Sequence, residues 1–573
     1  MELARRIRIP ALFCAFAVLV CELIARPYTT MGVCDDGPYI LIAQKLAATG
    51  HIVYNGPTTP ILGWQLYLAA AFIKLFGFSF TTVRLSTLLV AMALAFLLQR
   101  ILVRASITER NATIATLALV LSPLYLMLSA SFMTDITGLF AIVICLYGCL
   151  RALQASTSRA AIGWLCFAVA TNALCGTSRQ IGWLGLLVIV PSTLWLLRDQ
   201  RRVFLAGAAA NLAGALFVLA CIHWFNHQPF NVHESLFVTS FSVGHSAGEL
   251  IHSFLDAAFL IFPIMALFLP QIYKSRPRIL ASLSAFSVGY LLLAIHWRHS
   301  HPDFLLEPTQ VNWVTAHGGL ESLALNGLPP VFLHTSVQIL LTIISVGGIL
   351  GLLASFLRPR TTPSPVQSST RISWPQLAIL LGPFTLVYTL LLLPRAATAG
   401  LVDRYSLELL VVALICLVRY YQDQIRPRLP FATILLVAIT AIYGIAVTHN
   451  LFSFYRARVA IAAELHAAGI PDTSVDSGWE YNYVVELQHA DFINDPRMVL
   501  PANAYVPTPP PPAGNCPTNY YDTTPHIHAI YGISFDPNAC HGPAPFTPVH
   551  YSRWLASTPG TLYVVRSTET SKP

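Results

Sequence analysis

Apolar runs of roughly 20 residues, the length that crosses a bilayer as a helix, recur along the first three quarters of the chain with short polar breaks between them. The first is Ile9–Ala25. Further predicted spans run over about 82–103, 112–131, 136–153, 160–176, 181–197, 203–224, 251–272, 279–296, 331–357, 374–394, 405–421 and 430–448. One more apolar segment, Ile61–Phe78, fits either a crossing or a helix lying along the membrane face. From His449 the pattern changes to mixed and polar. Val475–Val484 reads as a strand or a strand–helix junction, and Pro507–Pro512, broken only by Thr508, as a polyproline II loop. The expected fold class is an all-α polytopic membrane protein of about 13 transmembrane helices, residues 1–448. A small C-terminal α/β domain, 449–573, follows it.

Composition agrees with the pattern. The chain is 55% hydrophobic and 10% charged, where soluble domains carry about 25% charged residues. The formal net charge of +8 is no argument for a nucleic-acid partner, because the arginines stand singly between apolar spans. They bear instead on topology, since short cytoplasmic loops collect Lys and Arg. If Ile61–Phe78 does not cross, the inner loops hold 20 of these residues and the outer ones 8. If it crosses, the numbers become 9 and 19. The first arrangement is the expected one, with the N-terminus cytoplasmic and the C-terminus extracytoplasmic, in an inner cell membrane. Residues 27–81 are then a first outer loop with two surface helices. No small-x-small cleavage site follows Ile9–Ala25, so it is read as an anchor.

That topology places the unusual polar residues on one side. Asp35 and Asp36 follow the first span, and Gly37-Pro38 opens a short helix behind them. Carboxylates at a helix N-terminus are held ionised, which suits a general base or a metal site, and equally suits an N-cap with a spare acid. Asp135 lies in a short outer turn, Arg179 in the break Gly176–Gln180, and Arg404 in the turn 395–405. Asp403-Arg404 reads either as a charge pair at the lipid boundary or as a phosphate contact. His296, His299, His301 and Asp303 resemble a metal cage less than a wet interfacial loop. His223, His227 and His233 suggest no role. Of 11 cysteines, nine lie in or beside apolar spans. Cys516 and Cys540 sit in the exported tail, where a disulfide is expected. No CxxC, HExxH, Walker or GxGxxG motif and no internal repeat is present.

Asp35-Asp36-Gly-Pro-Tyr39 with Ala43 resembles the D-[DE]-x-x-Y-x-x-x-A signature of the first outer loop of GT-C membrane glycosyltransferases. The nearest branch is the bacterial relatives of protein O-mannosyltransferases and of the aminoarabinose transferase. Gly77 with Arg84-Leu85-Ser86, Ser122-Pro123 with Met133-Thr134-Asp135, and Arg404-Tyr405 are similar to further motifs of that family, in the same order. The resemblance covers residues 1–200 well and 370–480 loosely. It implies transfer of a sugar from a polyprenyl-phosphate donor to a lipid, glycan or protein acceptor, with inversion. It places Asp35 and its neighbour Asp36 at the catalytic position. Tyr39, Arg84, Asp135, Arg179, Arg404 and Tyr405 become the candidates for donor phosphate and substrate. Two family cations are missing: Pro38 and Thr59-Pro60 stand where relatives of the aminoarabinose transferase type have Arg and Lys-Pro. A divalent metal, Mg or Mn, held by Asp35, Asp36 or Asp135 is one substitute. The competing readings are a transporter or flippase of lipid-linked sugars, and an O-antigen-ligase-like enzyme.

Overall fold

A computed structural model describes residues 8–56, 62–232, 243–274, 306–309, 312–319, 325–357, 372–398, 400–508 and 521–568, with Cys516 and isolated positions between 277 and 289. The chain is a polytopic membrane protein. Among the described residues, eight helices are long and apolar enough to cross a membrane, or ten if two bent pairs each count as one span. Ile9–Ala25 (α1) and the helical stretch Gln180–Leu196 are shorter apolar elements. The expected span 279–296 falls almost wholly outside the described residues.

Two helices form the first loop region, and a long span follows them. α2 (Asp36–Thr49) ends where Gly50 takes φ +79°. α3 (Trp64–Phe76) is 13 residues long, about 20 Å at 1.5 Å per residue, well short of the roughly 30 Å hydrocarbon core. α4 (Phe80–Arg104) follows, capped by the Ser79 hydroxyl, which accepts the Thr82 N–H.

The expected straight span 112–131 is instead two helices, α5 (Glu109–Val120) and α6 (Pro123–Ser129), bent by 69°. Pro123 has no N–H to continue the first helix, and the Ser122 side chain accepts the Tyr125 N–H to begin the second. The span expected over 251–272 is likewise broken. α11 (Val243–Leu260) turns by 84° into a segment opening at Phe262-Pro263, made of α12 (Phe262–Met265) and α13 (Leu269–Tyr273).

Between those breaks lie α7 (Thr134–Leu153), α8 (Ser158–Cys175), α9 (Val190–Leu196) and α10 (Arg201–Asn226). Tight turns at Gly176–Ser178 and Gln180–Trp183 and a wide turn at Gly185–Ile189 join α8 to α9. Asn172 holds this irregular backbone. Its amide donates to the Ala141 and Gly182 carbonyls at 2.8 Å each, and its oxygen accepts the Leu186 N–H at 2.8 Å. A Cβ on Gly185 would come within 2.4 Å of that amide nitrogen, so only glycine fits.

The later helices are α14 (Thr335–Phe356), α15 (Trp374–Thr398), α16 (Leu407–Gln424) and α17 (Phe431–Ala467). α17 has 37 residues and runs about 55 Å, so it extends past its apolar span and through residue 448 without a break. The tail then adds α18 (Trp479–Ala490) and a four-stranded sheet of order β1-β2-β4-β3. Its strands are β1 (Val475–Asp476), β2 (Tyr531–Ser534), β3 (Val549–Tyr551) and β4 (Gly560–Arg566). β1 and β2 are parallel, the other pairs antiparallel. Cys516 and Cys540 are joined by a disulfide with Cα atoms 5.2 Å apart.

The tail is packed onto the helices. Val475, Ile533, Leu562 and Val564 belong to the same buried core as α1–α8. His449 of α17 stacks on Trp554 at 3.9 Å and hydrogen-bonds Ser552 at 2.7 Å.

Candidate active site

The adjacent acids Asp35 and Asp36 have opposite environments. Asp36 is fully buried and its oxygens accept four hydrogen bonds. The Arg84 fork gives two, at 2.8 and 3.0 Å, and the Val33 and Phe132 N–H groups give the others at 2.7 and 3.0 Å. Arg84 also donates to the Thr29 and Met31 carbonyls. Asp36 therefore ties the first loop to α4 and to the turn before α7. The expected catalytic place of Asp36 and substrate role of Arg84 therefore fall on two side chains that are buried and bonded to each other, at 0% and 3% exposure.

Asp35 stays open. Its side chain is 32% exposed, and its nearest cation is Arg404 Nη2 at 3.6 Å. Burial raises its pKa above the ordinary carboxylate value. Arg404 opposes the rise, and the negative charges of Asp135 and Glu480 add to it.

Arg404 reaches two acids. Its other terminal nitrogen lies 3.7 Å from Asp135 Oδ2, and its Nε has no hydrogen-bond partner among the described residues. Asp135 is 1% exposed and is bonded through Oδ1 to Arg179. The Tyr405 ring lies among three guanidiniums, those of Arg179, Arg395 and Arg404, at 5.6, 5.6 and 5.8 Å. Asp35, Asp135, Arg179, Arg404 and Tyr405, all named by sequence, thus meet in one cluster of mixed charge. Tyr39 is buried in the first turns of α2, at 1% exposure.

Several supports were not visible in the sequence. Asp403 is fully buried and accepts the N–H groups of Trp313 and Val314 at 2.9 and 2.7 Å and that of Arg404 at 2.7 Å. It is a backbone clamp rather than a boundary charge, and it sets the turn that carries Arg404. Gln65 of α3 donates to the Phe132 and Met133 carbonyls and accepts the Thr137 hydroxyl at 2.7 Å, which fixes the turn carrying Asp135. Thr177 binds the start of α3 through Leu62 and Trp64, beside Arg179. In sequence, Gln65 and Thr177 are ordinary polar residues of apolar segments.

The expected metal site does not fit these side chains. Asp36 has its lone pairs taken by four donors, and Asp135 is paired with Arg179. No group of three His, Cys, Asp or Glu suited to a metal ion exists among the described residues. The His296–Asp303 loop lies outside them.

Residues 59–225 match the family described as dolichyl-phosphate-mannose-protein mannosyltransferase. The stretch includes Arg84, Asp135 and Arg179, in line with the resemblance read from the motifs. A comparison with curated protein sequences finds no match. Among solved structures, ArnT from Cupriavidus metallidurans in the apo state is similar at 16% identity and a TM-score of 0.39, covering 81% of this chain and 82% of that one. The same protein bound to undecaprenyl phosphate gives 16% identity and a TM-score of 0.40, with 80% of each chain covered. The S. cerevisiae protein O-mannosyltransferase Pmt1-Pmt2 complex bound to the sugar donor gives 15% and 0.32, covering 41% of this chain and 35% of that one.

Proposed function

We propose that the protein is an integral-membrane glycosyltransferase that moves a sugar from a polyprenyl-phosphate donor to an acceptor hydroxyl at the extracytoplasmic face, with inversion. The observation that carries the reading is the contrast between the acids. Asp36 and Asp135 are buried and each bonded to an arginine, Asp135 through one oxygen, while Asp35 is partly exposed beside a cation with an unused donor.

The chemistry follows from that contrast. A lipid phosphate is a good leaving group and needs no strong acid. The acceptor hydroxyl must lose a proton, so a carboxylate base is required opposite the departing phosphate. Asp35 takes that proton. Arg404 and Arg179 receive the phosphate, for which the forked guanidinium is suited. Arg404 also links the two events. When the donor phosphate draws its charge, Asp35 loses its nearest counter-ion and becomes more basic.

A flippase is less well supported, since this charge cluster gathers at one end of the helices rather than along a central path.

Asp35→Asn keeps the shape and removes proton affinity. Transfer from radiolabelled polyprenyl-phosphate sugars should fall roughly 10²–10⁴-fold, with undecaprenyl phosphate still bound. In the wild type the acid limb of the rate profile should lie above the ordinary Asp value of about 3.9, because a base with a raised pKa is lost as pH falls through that higher value. An Asp35→Asn protein that expresses normally and transfers at the wild-type rate would remove Asp35 from the base's role.

A further inference from the structure

The Asp35 loop is held from behind by the tail. Arg458 of α17 and Glu480 of α18 form an ion pair at 3.0 Å, with both side chains fully buried. The other Glu480 oxygen accepts the Tyr455 hydroxyl at 2.6 Å. That hydroxyl in turn accepts the N–H of Cys34 at 3.4 Å. Cys34 is the residue before Asp35, and its φ is +53°. The left-handed region disfavours a residue with a Cβ, so its surroundings must hold it there.

α18 also closes on the turn itself. A Cβ on Gly32 would lie 3.5 Å from the Glu480 carbonyl oxygen, and one on Gly37 would lie 3.2 Å from Val484 Cγ2. Farther along, Lys45 of α2 pairs with Asp491 at 2.7 Å, and the Ile493 N–H donates to the Asn55 carbonyl at 2.8 Å. The Asn55 amide donates to the Pro38 carbonyl at 3.0 Å. The tail therefore grips the segment around Asp35 at both ends.

We infer that Glu480, acting through Tyr455, is a positioning residue for Asp35, so that the tail completes the transferase site. The inference rests on the reading of Asp35 as the base. Glu480 touches no substrate. It fixes the direction of the phenolic O–H, which leaves a phenol lone pair aimed at the Cys34 amide and sets the backbone from which the Asp35 side chain leaves. Its charge also reaches Asp35. The charged and titratable groups facing Asp35 are Arg404 from the turn before α16, Asp135 from α7, Glu480 from α18 and the neighbouring Cys34 thiol. Glu480 works against Arg404 and keeps Asp35 basic.

The full-length protein, in lipid nanodiscs, is compared as wild type, Tyr455→Phe and Glu480→Gln. Two readouts are used: transfer from radiolabelled polyprenyl-phosphate sugars, and hydrogen exchange of residues 30–38. Tyr455→Phe leaves the buried ion pair intact and removes one hydroxyl. Transfer should fall roughly tenfold, the effect of losing one orienting hydrogen bond, with undecaprenyl phosphate affinity unchanged and faster exchange at 30–38. Glu480→Gln also breaks the buried pair with Arg458 and should melt earlier; its folded fraction should show the same fall and, in addition, an acid limb moved to lower pH, since a negative neighbour is lost. If Tyr455→Phe keeps the wild-type rate and wild-type exchange at 30–38, the positioning role is overturned, whether or not Glu480→Gln folds. Asp35→Asn reports separately on the base itself. A fully active Asp35→Asn protein with fast-exchanging Tyr455→Phe would remove the base and leave only a structural clamp.

Discussion

Asp35 and Asp36 are chemically identical neighbours with different work, and the difference comes from residues far away in sequence. Asp36 meets Arg84, 48 positions on, in a pair whose side chains are 0% and 3% exposed. Asp36→Asn leaves Arg84 buried without its charge partner. Breaking such a pair on one side costs about 3–5 kcal/mol, more than the roughly 0.5–2 kcal/mol of a lost N-cap. The variant should therefore express poorly and melt early in detergent, and it should lose activity through instability. Asp35→Asn should retain wild-type stability while losing transfer. Equal melting temperatures for wild type and Asp36→Asn would contradict the anchoring role. The motif located both acids, but one residue's alternation cannot reveal which acid turns inward. That depends on where α4 passes, and the same holds for Asp403, whose partners Trp313 and Val314 lie 90 and 89 residues away.

Elements were more legible than side chains. Apolar length marks a helix without reference to its neighbours, so the straight helices α4, α7, α8, α10 and α14 to α17 could be placed from sequence, whereas the bends at Ser122-Pro123 and before Pro263 could not be read from length alone. The opposite is true of the tail. Its helix α18 faces the first loop because Tyr455 and Arg458, one turn apart on the polar extension of α17, draw Glu480 inward, and no periodicity encodes that. The sheet is secured by Cys516–Cys540, which closes a loop with a sequence separation of 24. A loop of that size is worth about 3 kcal/mol in a chain-entropy account. Both cysteines should resist alkylation in native membranes until a reductant is added, and reduction should loosen the tail before it affects the helices. Free labelling of both thiols without reductant would exclude the bond.

At the scale of the whole molecule the polar contacts separate into two ends. Asp35, Asp135, Arg179, Arg404 and Glu480 gather at one. The other is built from Arg100–Glu109, Arg104–Gln154, Arg110 on the Leu429 carbonyl, and Asn111 on Gln422. This second end carries the short arginine-bearing turns, and positive loops collect in the cytoplasm, so the proposed orientation turns the site end outward and carries the tail with it. Single cysteines introduced into a background lacking the exposed Cys166 test the arrangement with a membrane-impermeant thiol reagent. His51→Cys in the first loop and Asn503→Cys in the tail are both exposed and should label in intact cells. Thr108→Cys and Asp199→Cys, exposed in turns of the opposite end, should label only after permeabilisation. The Lys45–Asp491 and Ile493–Asn55 contacts join the first loop to the tail whatever the orientation, so a split between His51 and Asn503 would contradict that packing. The reverse pattern for all four would instead keep the packing and turn the molecule over. Asp35 would then face the cytoplasm, and the donor would have to be used on the leaflet where it is made.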